Sequence, residues 1–155
     1  MERPVSVVLF SLWIVLCLSG LLEAEGSELF VSNGTDVLKF DRETKTYQSL
    51  YHQHGGRIVG LAADIDDGIL FWSDVSQQYR AIYKSWIDGS SIQIIITDVL
   101  ECNGLSVDWI SNHIYWTDAG RLTVEVANYD GSGRRILIGY GLQIPRGIIV
   151  DPVYA

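Results

Sequence analysis

The sequence has little cysteine, little proline and few basic residues. Two cysteines in 155 residues are too few for a disulfide-stabilised scaffold, and three prolines with 19% charged residues exclude a proline-rich or disordered chain. Eleven basic against nineteen acidic side chains give a formal charge of −8, which argues against nucleic acid as a partner because phosphates require a basic surface. What remains is an aromatic-rich, mildly acidic chain with the length of one domain or part of a larger one.

The N-terminal segment differs in composition from the rest of the chain. Arg3 precedes an uncharged apolar stretch, and small residues at Ala24 and Gly26 suit cleavage after Gly26. This pattern predicts a secretory signal peptide over residues 1–26 and an extracellular or cell-surface location. The alternative is a retained signal anchor, because the uncharged residues 4–22 are long enough to span a bilayer.

Secretion changes how two further residues are interpreted. Cys17 would be lost with the signal peptide, which leaves Cys102 as the thiol of the mature chain. Cys102 is predicted to be either a small buried side chain or the partner of a cysteine outside this chain. Asn33 begins the sequon Asn-Gly-Thr and is predicted to be a glycosylation site in an exposed turn.

The strongest pattern is a repeat with a period of 43 or 44 residues. An aromatic-Trp-hydroxyl-Asp motif occurs twice, as Phe71, Trp72, Ser73, Asp74 and as Tyr115, Trp116, Thr117, Asp118. Segments of the type Gly-apolar-x-apolar-Asp end at three aspartates, Asp64, Asp108 and Asp151. Motifs in a fixed order at one period indicate a repeated structural unit.

Each period contains four short runs rich in β-branched and aromatic residues. In one complete period these runs are 58–64, 69–74, 81–87 and 92–97, separated by turn sequences such as Asp-Gly-Ser. Four antiparallel strands in about 44 residues are typical of a β-propeller blade, and blades bury their faces by stacking on one another. The sequence therefore predicts an all-β fold of the propeller type.

The motifs resemble the class B, or YWTD, repeat of the low-density lipoprotein receptor family over roughly residues 28–155. The resemblance implies a partial six-bladed β-propeller of about twelve strands, half of a complete propeller. In that family the Trp packs between neighbouring blades, and the hydroxyl and Asp side chains make structural hydrogen bonds. The eleven motif residues named above would therefore be scaffold and not catalytic groups.

Alignment on the repeat divides the chain into segments. Residues 27–155 are predicted to form the propeller fragment after the signal peptide 1–26. Its parts are a partial blade 27–57, a blade 58–101, a blade 102–144 and the first strand of the next blade, 145–155. We expect later blades and a membrane anchor in a longer, full-length protein of which this is the N-terminal part.

Within the family, the sequence is similar to the first propeller of the Wnt co-receptors, notably around 124–132 and 145–147. This resemblance implies an extracellular, protein-binding receptor module whose ligand is a Wnt or a Wnt antagonist. An agrin-receptor or lipoprotein-receptor role in ligand binding and endocytosis is the alternative in the same class. Neither role requires a cofactor or a small-molecule substrate.

The same resemblance places the partner-binding face on the loops after the second strand and before the first strand of each blade. The candidate residues are Val75, Ser76, Gln78, Asn103, Glu125 and Arg146. Glu125 and Arg146 are predicted to be a polar specificity pair, with Tyr83 and Asp36 in the position of Glu125 in the other repeats. The alternative is that Glu125 and Arg146 bridge blades. Trp86 is predicted to be either an exposed anchor or a cover for a blade edge.

No catalytic residue and no metal site are predicted. His52 and His54 have no third ligand at metal-binding spacing, and residues 64–68 depart from a calcium loop in the position of the glycine. The sequence contains neither Gly-x-Ser-x-Gly nor His-Glu-x-x-His. A lactonase-like six-bladed propeller enzyme is the alternative of another class, but half a propeller cannot encircle an axial metal ion. We therefore predict that the chain is not an enzyme.

Overall fold

The computed structural model of the chain describes residues 28–153, and this part of the chain is all-β, with eleven strands in three antiparallel sheets. The predicted signal peptide, including Cys17, lies outside the described residues, as do residues 154–155. Within 28–153 there is no helix, so no helix capable of crossing a membrane is found there.

Each sheet is formed by consecutive strands in chain order. The first sheet consists of β1 (Leu29–Ser32), β2 (Asp36–Asp41) and β3 (Thr46–His52). The second consists of β4 (Ile58–Asp64), β5 (Ile69–Asp74), β6 (Ala81–Trp86) and β7 (Gln93–Ile96). The third consists of β8 (Cys102–Asp108), β9 (His113–Asp118), β10 (Thr123–Asn128) and β11 (Arg135–Ile138).

The two complete sheets repeat one pattern. β4 and β8 carry the Gly-apolar-x-apolar-Asp segments, and β5 and β9 carry the aromatic-Trp motifs beside them. The first sheet starts with β1, which corresponds to β5 and β9, so among the described residues it has no counterpart of β4 and β8. Among the described residues the first sheet thus has three strands, one fewer than each of the other two sheets.

The expected count of about twelve strands exceeds the observed eleven by the strand predicted at 145–155. Residues 145–153 form no strand, because a strand is defined by hydrogen bonds to a neighbouring strand and none lies beside this segment among the described residues. The predicted runs 58–64 and 69–74 coincide with β4 and β5, whereas 81–87 and 92–97 are each slightly longer than β6 and β7.

The apolar core lies between the sheets. β5 is buried along its entire length, because alternate side chains of a strand point to opposite faces and each face meets a different sheet. Leu70 and Trp72 join a cluster shared with the first sheet, while Phe71 joins a cluster shared with the third. The three sheets are therefore stacked like successive blades, and the chain is a partial β-propeller.

Candidate functional site

The motif hydroxyls tie each sheet to the segment that follows it. Ser32 Oγ donates to the Ile58 carbonyl at 2.8 Å, and Ser73 Oγ donates to the Cys102 carbonyl at the same distance. Thr117 Oγ1 donates to the Arg146 carbonyl at 2.7 Å. By the third bond, residue 146 occupies the position that Ile58 occupies at the start of β4 and Cys102 at the start of β8.

The same hydroxyls accept a hydrogen bond from a glycine of their own sheet. The Gly60 amide donates to Ser73 Oγ at 2.8 Å, and the Gly104 amide donates to Thr117 Oγ1 at 3.0 Å. Both glycines lie where the register of the first strand shifts. A Cβ on Gly104 would lie 2.1 Å from the Arg146 carbonyl oxygen, so glycine is required for this close approach.

The motif aspartates hold together two loops at one end of each sheet. Asp74 Oδ1 accepts from the amides of Arg57 at 3.0 Å and Ser76 at 2.8 Å. Asp118 in the same way accepts from Glu101 at 2.9 Å and from Gly120 at 3.0 Å, and both aspartates are fully buried. We call this end the loop end; it consists of residues 53–57, 75–80, 97–101, 119–122 and 145–146.

The aspartates of the other repeated segment act at the opposite end, which we call the turn end. Asp64, Asp108 and Asp151 each accept a backbone amide two or three residues ahead and so close the turn after their segment. Burial raises the pKa of Asp108, but hydrogen bonds from the hydroxyl and amide of Ser111 outweigh it and hold the pKa below its usual value. The three carboxylates therefore stabilise turns.

The two motif tryptophans are buried between sheets. Trp72 is stacked on Tyr83 with ring centroids 5.6 Å apart, and Tyr51 of the first sheet packs against it at 5.0 Å. Burial is the main reason that the pKa of Tyr83 is raised to about 12. Trp116 has no exposed surface, and the Arg134 guanidinium lies 5.4 Å from its ring centroid. Both side chains therefore pack in the core between sheets.

The six candidate partner-binding residues fall into two groups. Gln78 and Arg146 are exposed at the loop end, whereas Ser76 is half-buried there and its hydroxyl oxygen is buried. The other three, Val75, Asn103 and Glu125, are buried. The structure thus exposes Gln78 and Arg146 at the loop end and buries Val75 at the same end, and Asn103 and Glu125 are buried within β8 and β10.

Glu125 pairs with Arg134 and not with Arg146. Glu125 Oε2 accepts from Arg134 Nε at 2.8 Å, and Oε1 accepts from Thr123 Oγ1 at 3.0 Å. The Arg134 guanidinium also donates to the carbonyls of Thr97 at 3.0 Å and Asp98 at 3.2 Å, in the loop after the second sheet. Glu125 is therefore part of a bridge between sheets, which is the alternative role given for it in the sequence analysis.

Two arginines whose guanidinium groups contact the loop end were missed by the sequence interpretation. Arg134 reaches the Asp98 carbonyl, and Arg121 donates to the same carbonyl at 2.9 Å while lying 3.5 Å from the Asp118 carboxylate. The repeat pattern does not indicate these arginines, because the equivalent residue is Gln77 for Arg121 and Ile92 for Arg134 in the preceding repeat.

Two residues were predicted to occupy the position of Glu125 in the other repeats, and the structure places one of them there but not the other. Tyr83 lies opposite Trp72 as Glu125 lies opposite Trp116, which agrees with the prediction. In the first sheet, however, the residue opposite Val31 is Leu38 and not Asp36. Asp36 instead binds His52 Nδ1 at 2.9 Å.

Three further residues have defined environments. Trp86 is 49% exposed and ends β6 at the turn end, away from the candidate face. Cys102 is fully buried, and burial raises the pKa of its thiol, which fits the small buried side chain of the two predicted alternatives. Asn33 is exposed, and its side-chain oxygen accepts from the amides of Thr35 and Asp36 in a turn. Its glycosylation stays a prediction.

Metal-ligating side chains do not gather anywhere in residues 28–153: no group of three histidines, cysteines or carboxylates is close enough to hold an ion.

Comparison with known proteins identifies the repeat. Residues 112–152 match the family model of the low-density lipoprotein receptor repeat class B. Low-density lipoprotein receptor-related protein 8 of Homo sapiens is 35% identical over 114 residues, which are 70% of this chain and 12% of that protein. Low-density lipoprotein receptor-related protein 5 of Mus musculus is 33% identical over 88 residues, which are 56% of this chain and 6% of that protein.

Solved structures support the same conclusion. A chain of the nidogen/laminin complex superposes with a TM-score of 0.72 and 31% identity, over 81% of this chain and 49% of that chain. A gluconolactonase from Xanthomonas campestris, at 20% identity and a TM-score of 0.52, shares the fold alone over 74% of this chain and 36% of that chain. The chain carries a low-density lipoprotein receptor class B repeat, and the resemblance inferred from its motifs is confirmed. It spans only a small part of the curated relatives that it matches.

Proposed function

We propose that the chain is an extracellular ligand-binding module of a cell-surface receptor, that it is not an enzyme, and that its ligand is a Wnt or a Wnt antagonist. The class B repeat shared with two receptor-related proteins is the observation that carries the proposal. The Wnt-type ligand is proposed from the resemblance of residues 124–132 and 145–147 to the first propeller of the Wnt co-receptors. Agrin-like or lipoprotein ligands taken up by endocytosis are the alternative in the same class.

The loop end is the proposed binding face. Buried Asp74 and Asp118 fix the backbone of its loops, so side chains on those loops are held in place without using their own polar groups. Gln78, Arg146 and the Asp98 carboxylate are exposed on it. A mixture of amide, cationic and anionic groups suits a polar protein surface rather than an apolar small molecule.

The proposed organisation follows the sequence interpretation. A signal peptide over 1–26 directs the chain into the secretory pathway. Residues 27–57 are a partial blade, 58–101 and 102–144 are blades, and 145–155 is the first strand of the next blade. In the full-length protein, later blades complete the face and a membrane segment anchors it at the cell surface. Glycosylation at Asn33 is consistent with its exposure in a turn.

A binding panel tests this proposal. The full chain, produced by secretion, is passed over immobilised Wnt, a Wnt antagonist and an agrin fragment in biolayer interferometry. Arg146→Glu should weaken the complex about tenfold or more, because it reverses a charge on the binding face. The matched charge reversal Lys45→Glu, in a turn-end loop, should leave the affinity unchanged.

Two results contradict the proposal. Equal effects of both charge reversals would show that the loop end is not the binding face. Lactone hydrolysis dependent on a stoichiometric divalent metal ion would place the chain among the propeller enzymes.

A further inference from the structure

One type of turn recurs in the described part of the chain. It has four residues between two strands, and the aspartate before it accepts one or two backbone amides from within the turn. The turns of this type are residues 42–45, 65–68, 109–112 and 119–122. Their last residues all have a positive φ of 56–67°, and these residues are Lys45, Gly68, Asn112 and Leu122. Glycine and asparagine tolerate this left-handed backbone, whereas it is strained for a bulky side chain.

Leu122 combines this strain with an exposed apolar side chain. The φ of Leu122 is 57°, its side chain is 43% exposed, and it belongs to neither apolar cluster of the core. Lys45 has a similar φ, but its charged side chain is solvated in an exposed turn. Of the four turns, only the one that ends at Leu122 lies at the loop end. Strained backbone is concentrated at binding and catalytic sites, so Leu122 marks a candidate contact.

The turn that carries Leu122 is fixed against the loop that enters the third sheet. Asp118 Oδ1 accepts from the amides of Gly120 at 3.0 Å and Arg121 at 3.1 Å, and Asp118 Oδ2 accepts from the Leu100 amide at 2.8 Å. A Cβ on Gly120 would lie 2.6 Å from the Leu100 Cβ, so the two loops are in direct contact. These contacts hold Leu122 in its strained conformation.

The loop of Leu100 is held in turn by two arginines. The Asp98 carbonyl accepts from Arg121 Nη2 at 2.9 Å and from Arg134 Nη2 at 3.2 Å. The Asp98 carboxylate pairs with Arg121 and remains 75% exposed, and the Leu100 side chain is 40% exposed. This junction between the second and third sheets therefore presents two exposed leucines on rigid loops beside an exposed ion pair. Apolar groups with a polar rim are typical of protein-binding surfaces.

We propose that Leu122 and Leu100 form an apolar contact for the protein ligand, on which an aliphatic side chain of the ligand packs. The exposed Asp98 carboxylate requires N–H donors next to that side chain, because an anionic group there would be repelled. Ligand binding covers the leucine that the free chain leaves exposed, and this gain offsets the strained backbone. The proposal rests on the proposed function of the loop end and adds the chemistry that the ligand must present.

Thermal unfolding of the free chain is the first test. Leu122→Asn and Lys45→Asn change the same position of the same type of turn, one at the loop end and one at the turn end. Asparagine tolerates a positive φ, so each variant of the secreted full chain should unfold at a midpoint about 2–4 °C higher. A lower midpoint for Leu122→Asn would show that the leucine stabilises the free chain, and it would overturn the proposal.

Binding to immobilised Wnt, Wnt antagonist and agrin fragment, measured by biolayer interferometry, is the second test. Leu122→Asn should weaken the complex about tenfold, and Leu100→Ser should weaken it to a similar degree, because each removes an apolar contact. Leu122→Met retains an apolar side chain on the same backbone and should lose less than about threefold. Lys45→Asn relieves the same strain away from the face and should bind like the unmodified chain. Unchanged affinity of Leu122→Asn would overturn the proposal.

Arg146→Glu separates this proposal from the proposed function. If Arg146→Glu weakens the complex and Leu122→Asn does not, the loop end remains the binding face and only the apolar contact is wrong. If the unmodified chain binds none of the three immobilised proteins, the proposed function is contradicted, and the apolar contact is rejected with it.

Discussion

At the residue scale, each motif side chain makes two contacts that serve different parts of the fold. The Thr117 hydroxyl donates to the next segment and accepts from Gly104 of its own sheet. Asp118 is likewise shared between the loop that enters its sheet and the loop after β9. Substitution at such positions therefore disturbs two elements at once, whereas substitution of an exposed neighbour disturbs none.

Gly104→Ala tests the close approach between β8 and residue 146. The added Cβ would meet the Arg146 carbonyl oxygen at 2.1 Å, so backbone must shift, and the free energy of unfolding should fall by ~1–3 kcal/mol, the usual range for overpacking. Urea denaturation provides the measurement. Gly139→Ala is the control, because its Cβ would meet only the exposed Ile136 side chain, and an equal loss there would refute the argument.

Trp116→Ala tests the packing between the second and third sheets. Removing this fully buried indole should cost ~3–5 kcal/mol, the range for large aromatic residues in cores. The control Trp86→Ala removes a half-exposed indole at the turn end and should cost much less. Thermal unfolding of both variants gives the comparison; an unchanged midpoint for Trp116→Ala would mean that the residue does not pack between sheets.

At the element scale, the strands most reliably predicted are those with both faces buried. β4 and β5 were predicted to their ends, because continuous apolar runs bounded by turn residues leave little choice of boundary. The ladders between β2 and β3 and between β6 and β7 contain register shifts, which motif alignment alone does not reveal. The position of Asp36 was misassigned because the motif alignment did not fix the pairing between β1 and β2.

Contacts between sheets were harder to predict than strands. Glu125 lies opposite Trp116, but its partner Arg134 is nine residues away on the chain and has no equivalent in the other repeat. Periodicity reveals only what is repeated, so a bridge that occurs once leaves no trace in it. The loop-end candidates Ser76, Gln78 and Arg146 were derived from a family resemblance, and their role stays a prediction.

Arg134→Leu tests the bridge between the third sheet and the loop after the second. It leaves the Glu125 carboxylate buried without its cation, which should cost ~3–5 kcal/mol of stability. Adding Glu125→Gln should recover part of the loss, because the unpaired charge is removed. Chemical denaturation of the single and double variants measures this coupling; additive losses would indicate that the two side chains act independently.

At the scale of the whole molecule, the turn end and the loop end of the sheets have different structural roles. Aspartates at the turn end close hairpins, while Asp74 and Asp118 at the loop end order the loops that carry exposed polar side chains. Loops positioned by a rigid scaffold are where binding residues concentrate. The class B repeat and these ordered loops are the basis for the proposal that the loop end binds a protein ligand.

Hydrogen–deuterium exchange of the chain alone and in complex with a purified Wnt antagonist tests this assignment most directly. We predict that added antagonist slows amide exchange in residues 75–80 and 97–101 and around Arg146, all at the loop end. Exchange in the turns 65–68 and 109–112 should stay unchanged. Protection confined to those turns, or no complex with the antagonist, would contradict the account.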